Sequence, residues 1–595
     1  MRPFQYLREV DFDPPEDRAP ISLVHDGKVA GILALVALLL NGLSLAALEF
    51  FRHTEADRTL ISWGMYSTGD YLVPSILGSP ILTKPPAFYW LQSMSISVFG
   101  TTAEWAARAP SPLFAALLTA VQYLFLRAAG GTIGLAMLGA VMIMTGGLYL
   151  ELANVAEIDM TYGAFAAMSF ACLYIALDRQ SLRALLFGYL FCAIGFLVKG
   201  PPIVAFFLAT AVLSHLWIAT RSSSVTKPSL RWIVVVHLLS AAILVAIIGA
   251  WIALLTDRVG VDALWLQFKT EIVERIVIPS HRRRGALFYV VSLCSALLPW
   301  SLVALLSNIS PTRRELGLSW VPPLLVPFLS IAVCSGVFLL SLAEGKSTRY
   351  LFPLFAPAMA LATIAIANSR SHTLSYRIAT VAGFIAVGLS AGLPFAFEAP
   401  FISRVTLTMA AGVLGVSALV LALNAQRRSA LGTMASVLLL VAAIRFGEQT
   451  VFAPLRNVQH GVIPLASEID AVVPKSAPIH TVEIFERWIP YYLQRAGRTV
   501  ERATPSTAAS IASSGGFEGR AYLLLTHIEE FWRVLQLQSI DTTTRIIFDS
   551  GEREDHVLVV ECDARALPYL FFQRELPVVP SEPFYAELKE NPLDV

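Results

Sequence analysis

Charge is scarce in this sequence: Asp, Glu, Lys and Arg together make up 15% of 595 residues, against 56% hydrophobic, and the mean hydropathy is +0.64. Soluble domains carry charge on roughly a quarter of their residues, so this composition excludes a protein that is soluble throughout and points to a membrane-embedded one. A Walker A loop, a dinucleotide-binding glycine pattern and the His/Cys spacing of a zinc site are also absent, which leaves ATP-driven and redox chemistry without a motif. The net charge is only +1, so no global field attracts nucleic acid, and any electrostatic role depends on where the charges sit. Cysteine is sparse as well. Cys172, Cys192, Cys294 and Cys334 fall in apolar runs and Cys562 stands alone in the polar C-terminal region, so the cysteines do not reveal a redox compartment. The N-terminus, MRPFQYLREVDFDPPEDRAP, lacks the short basic segment of a cleavable signal, and the first apolar run, 29–48, reads as a retained membrane helix.

What is present is a series of long apolar runs. A helix needs about 20 apolar residues to cross the hydrocarbon core, and by that measure spans fall near 29–49, 109–127, 131–149, 160–177, 184–198, 201–219, 232–255, 287–306, 322–342, 349–367, 375–394, 401–423 and 429–446, about thirteen in all. The run 88–100 is too short to span and reads as an interfacial helix. With the N-terminus inside, the inside loops carry Arg127; Arg179 and Arg183; Arg221, Lys227 and Arg231; Arg313 and Arg314; Arg370 and Arg377; Arg427 and Arg428. Every one of these loops is basic, as the positive-inside rule requires. The segments left outside are 50–108, 150–159, 199–202, 256–286, 343–350 and everything beyond about 445. After residue 447, IHTVEIF, RAYLLLT, RIIFDS and HVLVVEC alternate with helix-like stretches such as HIEEFWRVLQLQ, and TPSTAASIASSGG reads as a linker. The expected organisation is therefore a cytoplasmic segment 1–28, a transmembrane domain 29–447 with its first outside loop at 50–108, and a soluble α/β domain 448–595.

The candidate chemistry gathers on the outside face. The first loop, HTEADRTLISWGMYSTGDYLVPSILGSPILTKPPAFYW, holds Glu55, Asp57, Arg58, Asp70 and Lys84, and it is far longer than a simple connection between helices. Either it is an interfacial helix with solvated charges, or a carboxylate and a lysine in it converge on a phosphorylated lipid. ELANVAEIDMTYGAF places Glu151, Glu157 and Asp159 at the head of a helix, where an acidic residue caps the dipole as well as serving a site. Lys199, in GFLVKGPP, either snorkels or pairs. His281, Arg282, Arg283 and Arg284 form a cationic run on the face where few cations are expected, which suits anion binding, and LAEGKSTRYLFP adds Lys346, Arg349 and Tyr350. Cations stabilise a departing phosphate and a carboxylate accepts a proton from an acceptor, so this set is suited to displacing a sugar from a lipid phosphate. Glu55, Asp159 and His281 are the candidate ligands of a divalent metal, although their spacing specifies none.

Five short motifs in order, STGDYLVPSILGSPILTKPPAFYW, ANVAEIDMTYGAF, FLVKGP, ALFYVVSLCSALLPW and GKSTRYLFPLFAP, resemble those of the GT-C glycosyltransferases of the protein O-mannosyltransferase and lipid A aminoarabinose transferase type. The similarity runs from Thr54 to about Pro357. It implies a polytopic α-helical GT-C fold with interfacial helices in the first outer loop and an outside C-terminal domain. By the same resemblance Lys84 and Lys346 bind the carrier phosphate, Asp159 supports the active-site loops, and the catalytic carboxylate comes from an Asp-Glu pair opening the first loop. Here that pair reads Thr54-Glu55, so Glu55 is the first expected proton acceptor and Asp57 the second.

The resulting expectation is an inverting, nucleotide-independent transferase in the bacterial inner membrane. It would move a sugar from a polyprenyl-phosphate donor to a lipid, glycan or protein acceptor at the periplasmic face. The donor phosphate would be held by Lys84, Lys199, Arg282, Arg283, Arg284, Lys346, Arg349 and Tyr350. A transporter or flippase of lipid-linked saccharides, or a catalytically silent relative, would use the same cationic pocket without reaction.

Overall fold

The structure is a computed structural model that describes residues 22–50, 52–220, 229–269, 284–285, 287–308, 321–343, 345–368, 372–396, 402–481, 488–503, 505–514, 516–525, 543–550 and 557–571. It divides into two compact units, Met1–Ile76 with Pro80–His460, and Leu77–Ser79 with Gly461–Val595.

The first unit is helical. Among the described residues nine helices are long and apolar enough to cross a membrane, or ten if the bent pair Phe288–Ala296 and Trp300–Leu306 counts as one span; Ile133–Met144, Leu325–Ser341 and Tyr376–Gly392 are shorter apolar helices. The first helix, α1 (Leu23–Gly42), starts and ends earlier than the apolar run suggests, because Ser22 caps it by accepting the His25 N–H at 3.2 Å. The first loop contains a helix that hydropathy does not reveal, α2 (His53–Thr68). It carries Glu55 in its first turn, favourable to the dipole, and stops at Gly69, whose left-handed φ of 73° lets its amide bond back to the Met65 carbonyl. The helix at 88–100 is present as α3 (Ala87–Phe99), held to α2 by polar contacts: Ser62 Oγ donates to Gln92 Oε1 at 2.7 Å, and Ser93 Oγ to the Ser62 carbonyl at 2.6 Å. A short turn, α4 (Glu104–Arg108), leads into α5 (Pro110–Ala128).

Two expected straight spans are broken, and the breaks meet. The run 131–149 divides into α6 (Ile133–Met144) and α7 (Gly147–Leu152), and the run 287–306 bends by 100° beside Pro299, which has no N–H to continue a helix. Gly147 N donates to the Leu298 carbonyl at 2.8 Å, and Trp300 Nε1 to Thr145 Oγ1 at 2.9 Å. Gly146 leaves room for Phe355 and Met359, whose side chains would lie 2.7 and 2.8 Å from a Cβ there. The next two helices, α8 (Ile158–Arg179) and α9 (Leu182–Lys199), agree closely with the apolar runs.

The second unit holds a five-stranded sheet built from β1 (Ile479–Thr481), β2 (Val500–Arg502), β3 (Arg520–Leu525), β4 (Arg545–Asp549) and β5 (Leu558–Asp563). The order is β2-β1-β3-β5-β4, with β2, β1 and β3 parallel and β5 antiparallel to both of its neighbours. Ala521, Leu523 and Leu525 pack with Leu558, Val560 and Cys562 in its core. The stretch expected as a linker is largely a helix, Pro505–Ser514: proline suits a first helical position, and Ala508 is buried in the same core. The expected helix HIEEFWRVLQLQ lies outside the described residues.

Candidate active site

The head of α8 organises the charged residues. Glu157 precedes the helix and is fully buried; its Oε2 accepts from Arg58 Nε at 2.9 Å, and its Oε1 accepts from Arg349 Nη1 at 3.3 Å and from the Thr54 hydroxyl. One turn of α2 separates Thr54 from Arg58, which puts both on the face that meets Glu157. In the first turn of α8, Asp159 pairs with Lys199, the last residue of α9. Lys199 Nζ also lies 5.5 Å from the centre of the Tyr162 ring and 5.2 Å from that of Tyr350, within cation–π range of both. Arg349 and Tyr350 come from the 3-10 turn Thr348–Leu354. That turn sits directly on α8, because Gly163 has no side chain: a Cβ there would meet the Phe352 ring at 2.3 Å.

These contacts join four chain segments into one network of three cations, Arg58, Lys199 and Arg349, around two carboxylates, Glu157 and Asp159. The surplus of positive charge is suited to an anion. Burial alone would lower the Arg58 pKa; the Glu157 carboxylate, with Tyr89 and Asp159, more than offsets this and raises it, so the guanidinium stays charged. Burial shifts Tyr89 up; the Arg58 guanidinium opposes this without cancelling it, and Asp57 and Glu157 add to the rise.

Lys346 and Arg284 form a second cationic group, in which Arg284 Nη1 donates to the Lys346 carbonyl at 2.7 Å and Lys346 Nζ to that of Arg284 at 3.2 Å. Lys84 Nζ donates to its neighbour's carbonyl at Thr83 at 2.9 Å. Asp70, in the Gly-Asp-Tyr segment, accepts the amides of Leu72 and Val73 and pairs with Arg258 at 3.1 Å; partial burial opposes these bonds, and together they hold its pKa below the usual carboxylate range.

Glu55 is placed differently from the sequence expectation. It is fully buried, with Oε1 2.9 Å from Arg108 Nε and Oε2 3.3 Å from Arg108 Nη2, and it accepts the Ala156 amide at 2.8 Å. Arg108 also donates to the carbonyls of Leu45, Leu48 and Glu49. The carboxylate expected to receive a proton therefore ties the first loop to the segment before α8. Asp57, about 200° further round α2, points elsewhere and is partly exposed. His281, Arg282 and Arg283 lie outside the described residues. Among those described, no three His, Cys, Asp or Glu side chains form a metal-binding group; Glu55 and Asp159, expected as joint ligands, sit in separate ion pairs. Sequence reasoning named Glu157 and Arg58 among the charged residues without giving them a role, and did not single out Arg108. The signal available was an acidic residue two positions before Asp159 at a helix start.

Residues 83–251 match the family described as dolichyl-phosphate-mannose-protein mannosyltransferase. Curated relatives include undecaprenyl phosphate-alpha-4-amino-4-deoxy-L-arabinose arabinosyl transferases. The one from Yersinia enterocolitica is 25% identical over 378 residues, covering 60% of this chain and 63% of its own length. The one from Aeromonas salmonicida is 29% identical over 319 residues, covering 51% and 54%. The chain thus spans between half and two thirds of the length of these relatives. The crystal structure of ArnT from Cupriavidus metallidurans bound to undecaprenyl phosphate is similar with a TM-score of 0.67 at 17% identity, covering 90% of this chain and 98% of that one; its apo state gives 0.64.

The helices and these likenesses define the class, a multi-pass helical membrane protein of GT-C fold. Within it the chain is similar to the undecaprenyl phosphate-aminoarabinose arabinosyl transferases, the resemblance that its five motifs carry.

Proposed function

We propose that the chain is an inverting glycosyltransferase that moves a sugar from a polyprenyl-phosphate donor to a lipid, glycan or protein acceptor. The observation that carries this reading is the network of three cations and two carboxylates at the head of α8, set beside Lys346 and Arg284. The acceptor hydroxyl or amine attacks the anomeric carbon, the bond from that carbon to the phosphate oxygen breaks, and the phosphate departs with the electron pair. Arg349, Lys346 and Lys84 stabilise the developing charge, with Arg284 beside Lys346, and the cationic run of Arg282, Arg283 and Arg284 in the sequence serves the same phosphate. Lys199 and Tyr350 shape the same site, and Asp159 holds Lys199 in place. Asp57 takes the acceptor's proton, since Glu55 is held by Arg108. The names of the relatives and the lipid in the similar structure support an undecaprenyl-phosphate carrier. In this reading the chain makes about thirteen spans of the inner membrane, and the network, the first loop 50–108 and the domain 448–595 face the periplasm, as the basic inside loops favour.

Purified protein in lipid nanodiscs, given labelled undecaprenyl-phosphate sugar and a panel of lipid A, glycan and peptide acceptors, should yield labelled product of inverted anomeric configuration. Binding of the donor with no transfer to any acceptor would instead favour carriage of lipid-linked sugar over catalysis.

A further inference from the structure

Glu157 takes no part in the steps above, yet three separate positions converge on it. A buried carboxylate is tolerated only when cations and hydrogen bonds compensate it. Arg58 supplies the firm compensation: it is 10% exposed, its Nε lies 2.9 Å from Oε2, and it is fixed to the same helix as Thr54. The contact with Arg349 is of another kind. It is longer, at 3.3 Å, it shares Oε1 with the Thr54 hydroxyl, and the Arg349 side chain is 35% exposed while that of Glu157 is not exposed at all. If Arg349 turned outward, Glu157 would keep Arg58 on one oxygen and Thr54 on the other. Its charge would remain compensated.

We propose that Glu157 is a positioning residue, a latch that holds Arg349 in the unliganded protein and yields it to the phosphate of the lipid-linked donor. A phosphate offers the guanidinium more negative charge and more acceptor oxygens than one carboxylate oxygen already shared with a hydroxyl. The exchange moves one cation from a buried carboxylate to the ligand and breaks no covalent bond. Because the latched state competes with binding, the latch lowers the apparent affinity for phosphate by the fraction of molecules in which Arg349 is held. The inference rests on the reading that this network receives a polyprenyl phosphate.

Binding of undecaprenyl phosphate to the full-length protein in nanodiscs, with undecaprenol as the uncharged control, tests it. Glu157→Gln should bind roughly threefold to tenfold more tightly than wild type, because Arg349 is released. Arg349→Ala should bind more weakly, and Glu157→Gln on the Arg349→Ala background should lose most of the gain. Glu157→Asp, which keeps the charge but cannot reach both arginines, should tighten binding to a lesser degree and serves if the glutamine variant does not fold. Unchanged or weaker binding by both Glu157 variants, or an equal gain with and without Arg349, overturns the latch and leaves the proposed transferase standing. Failure of the wild type to distinguish undecaprenyl phosphate from undecaprenol overturns the transferase reading and the latch together.

Discussion

Arg108 and Glu55 form a buried pair 53 residues apart in sequence, with Nε 2.9 Å from Oε1 and Nη2 3.3 Å from Oε2. The pair closes the first loop on itself, since Arg108 ends the loop and Glu55 lies near its start, and the Ala156 amide ties both to the approach to α8. Removing one partner leaves an uncompensated buried charge, which typically costs about 3–5 kcal/mol. Arg108→Met should therefore lower the thermal unfolding midpoint of the purified protein markedly, and Glu55→Gln should do so as well. A paired Glu55→Leu/Arg108→Met replacement should recover part of the loss. If Glu55→Gln abolished transfer while leaving the midpoint unchanged, Glu55 would be acting as a base after all.

Asp57 is expected to behave in the opposite way. It is half-buried on the side of α2 away from Arg108, with Oδ1 shielded from solvent, and Asp57→Asn keeps the side chain's shape, so stability should change by about 1 kcal/mol or less. Transfer from a polyprenyl-phosphate sugar should fall by roughly 10²–10⁴-fold, the usual contribution of a general base. Donor binding by the same variant should be preserved within a few fold, and parallel loss of binding and transfer would count against the assignment.

Several of the spans were legible because long apolar runs are local. Expected spans at 160–177 and 184–198 became Ile158–Arg179 and Leu182–Lys199, with Ser181 capping the second. The helix α2 was foreseen only as one reading of the first loop, without bounds, because its buried face mixes Ala56, Leu60 and Met65 with Glu55, Thr59 and Ser62, polar residues that find partners only once the loop folds. The bend beside Pro299 was missed for a related reason: a proline in an apolar run signals a break, but the angle is set by Gly147 and Thr145, more than 140 residues earlier. Of the residues singled out from the motifs, Lys199, Asp159 and Arg349 come together in one network and Lys346 lies against Arg284. What the motifs could not give was their pairing: Lys199, read as a phosphate ligand, is held by Asp159, and Glu157, noted only as one of three acidic residues at a helix head, is the one that gathers Arg58 and Arg349.

Gly163 offers a test of how the 3-10 turn is seated. A methyl group there would meet the Phe352 ring at 2.3 to 2.5 Å, too close for any relaxed packing, and both residues are in the buried interior. Gly163→Ala should push the Thr348–Leu354 turn off α8 and carry Arg349 and Tyr350 with it. The expected cost is about 1–3 kcal/mol in stability, typical of overpacking, together with weaker binding of undecaprenyl phosphate. A thermal-shift measurement combined with lipid binding decides it: a fully stable variant with normal binding would mean that the turn and α8 are not packed in this way.

His480 gives the C-terminal unit a pH dependence whose sign can be worked out. It lies on β1, an inner strand of the sheet, buried, and its Nδ1 is 3.8 Å from Glu501 Oε2 on the neighbouring edge strand β2. Burial lowers its pKa below the ordinary value, and the Glu501 carboxylate opposes this without cancelling it. The unfolded strand therefore binds a proton more readily than the folded one. The stabilising contribution is complete above the unfolded-state value of about 6.5 and is lost as the pH falls toward the lower folded-state value. Hydrogen exchange on the intact protein should thus report faster opening of residues 479–481 and 520–525 as the pH is lowered from 7 to 5, after correction for the intrinsic exchange rate. Glu501→Gln, by removing the opposing charge, should make that dependence steeper, and His480→Gln should remove most of it. Opening that is equally pH-dependent in wild type and His480→Gln would assign the effect to other groups.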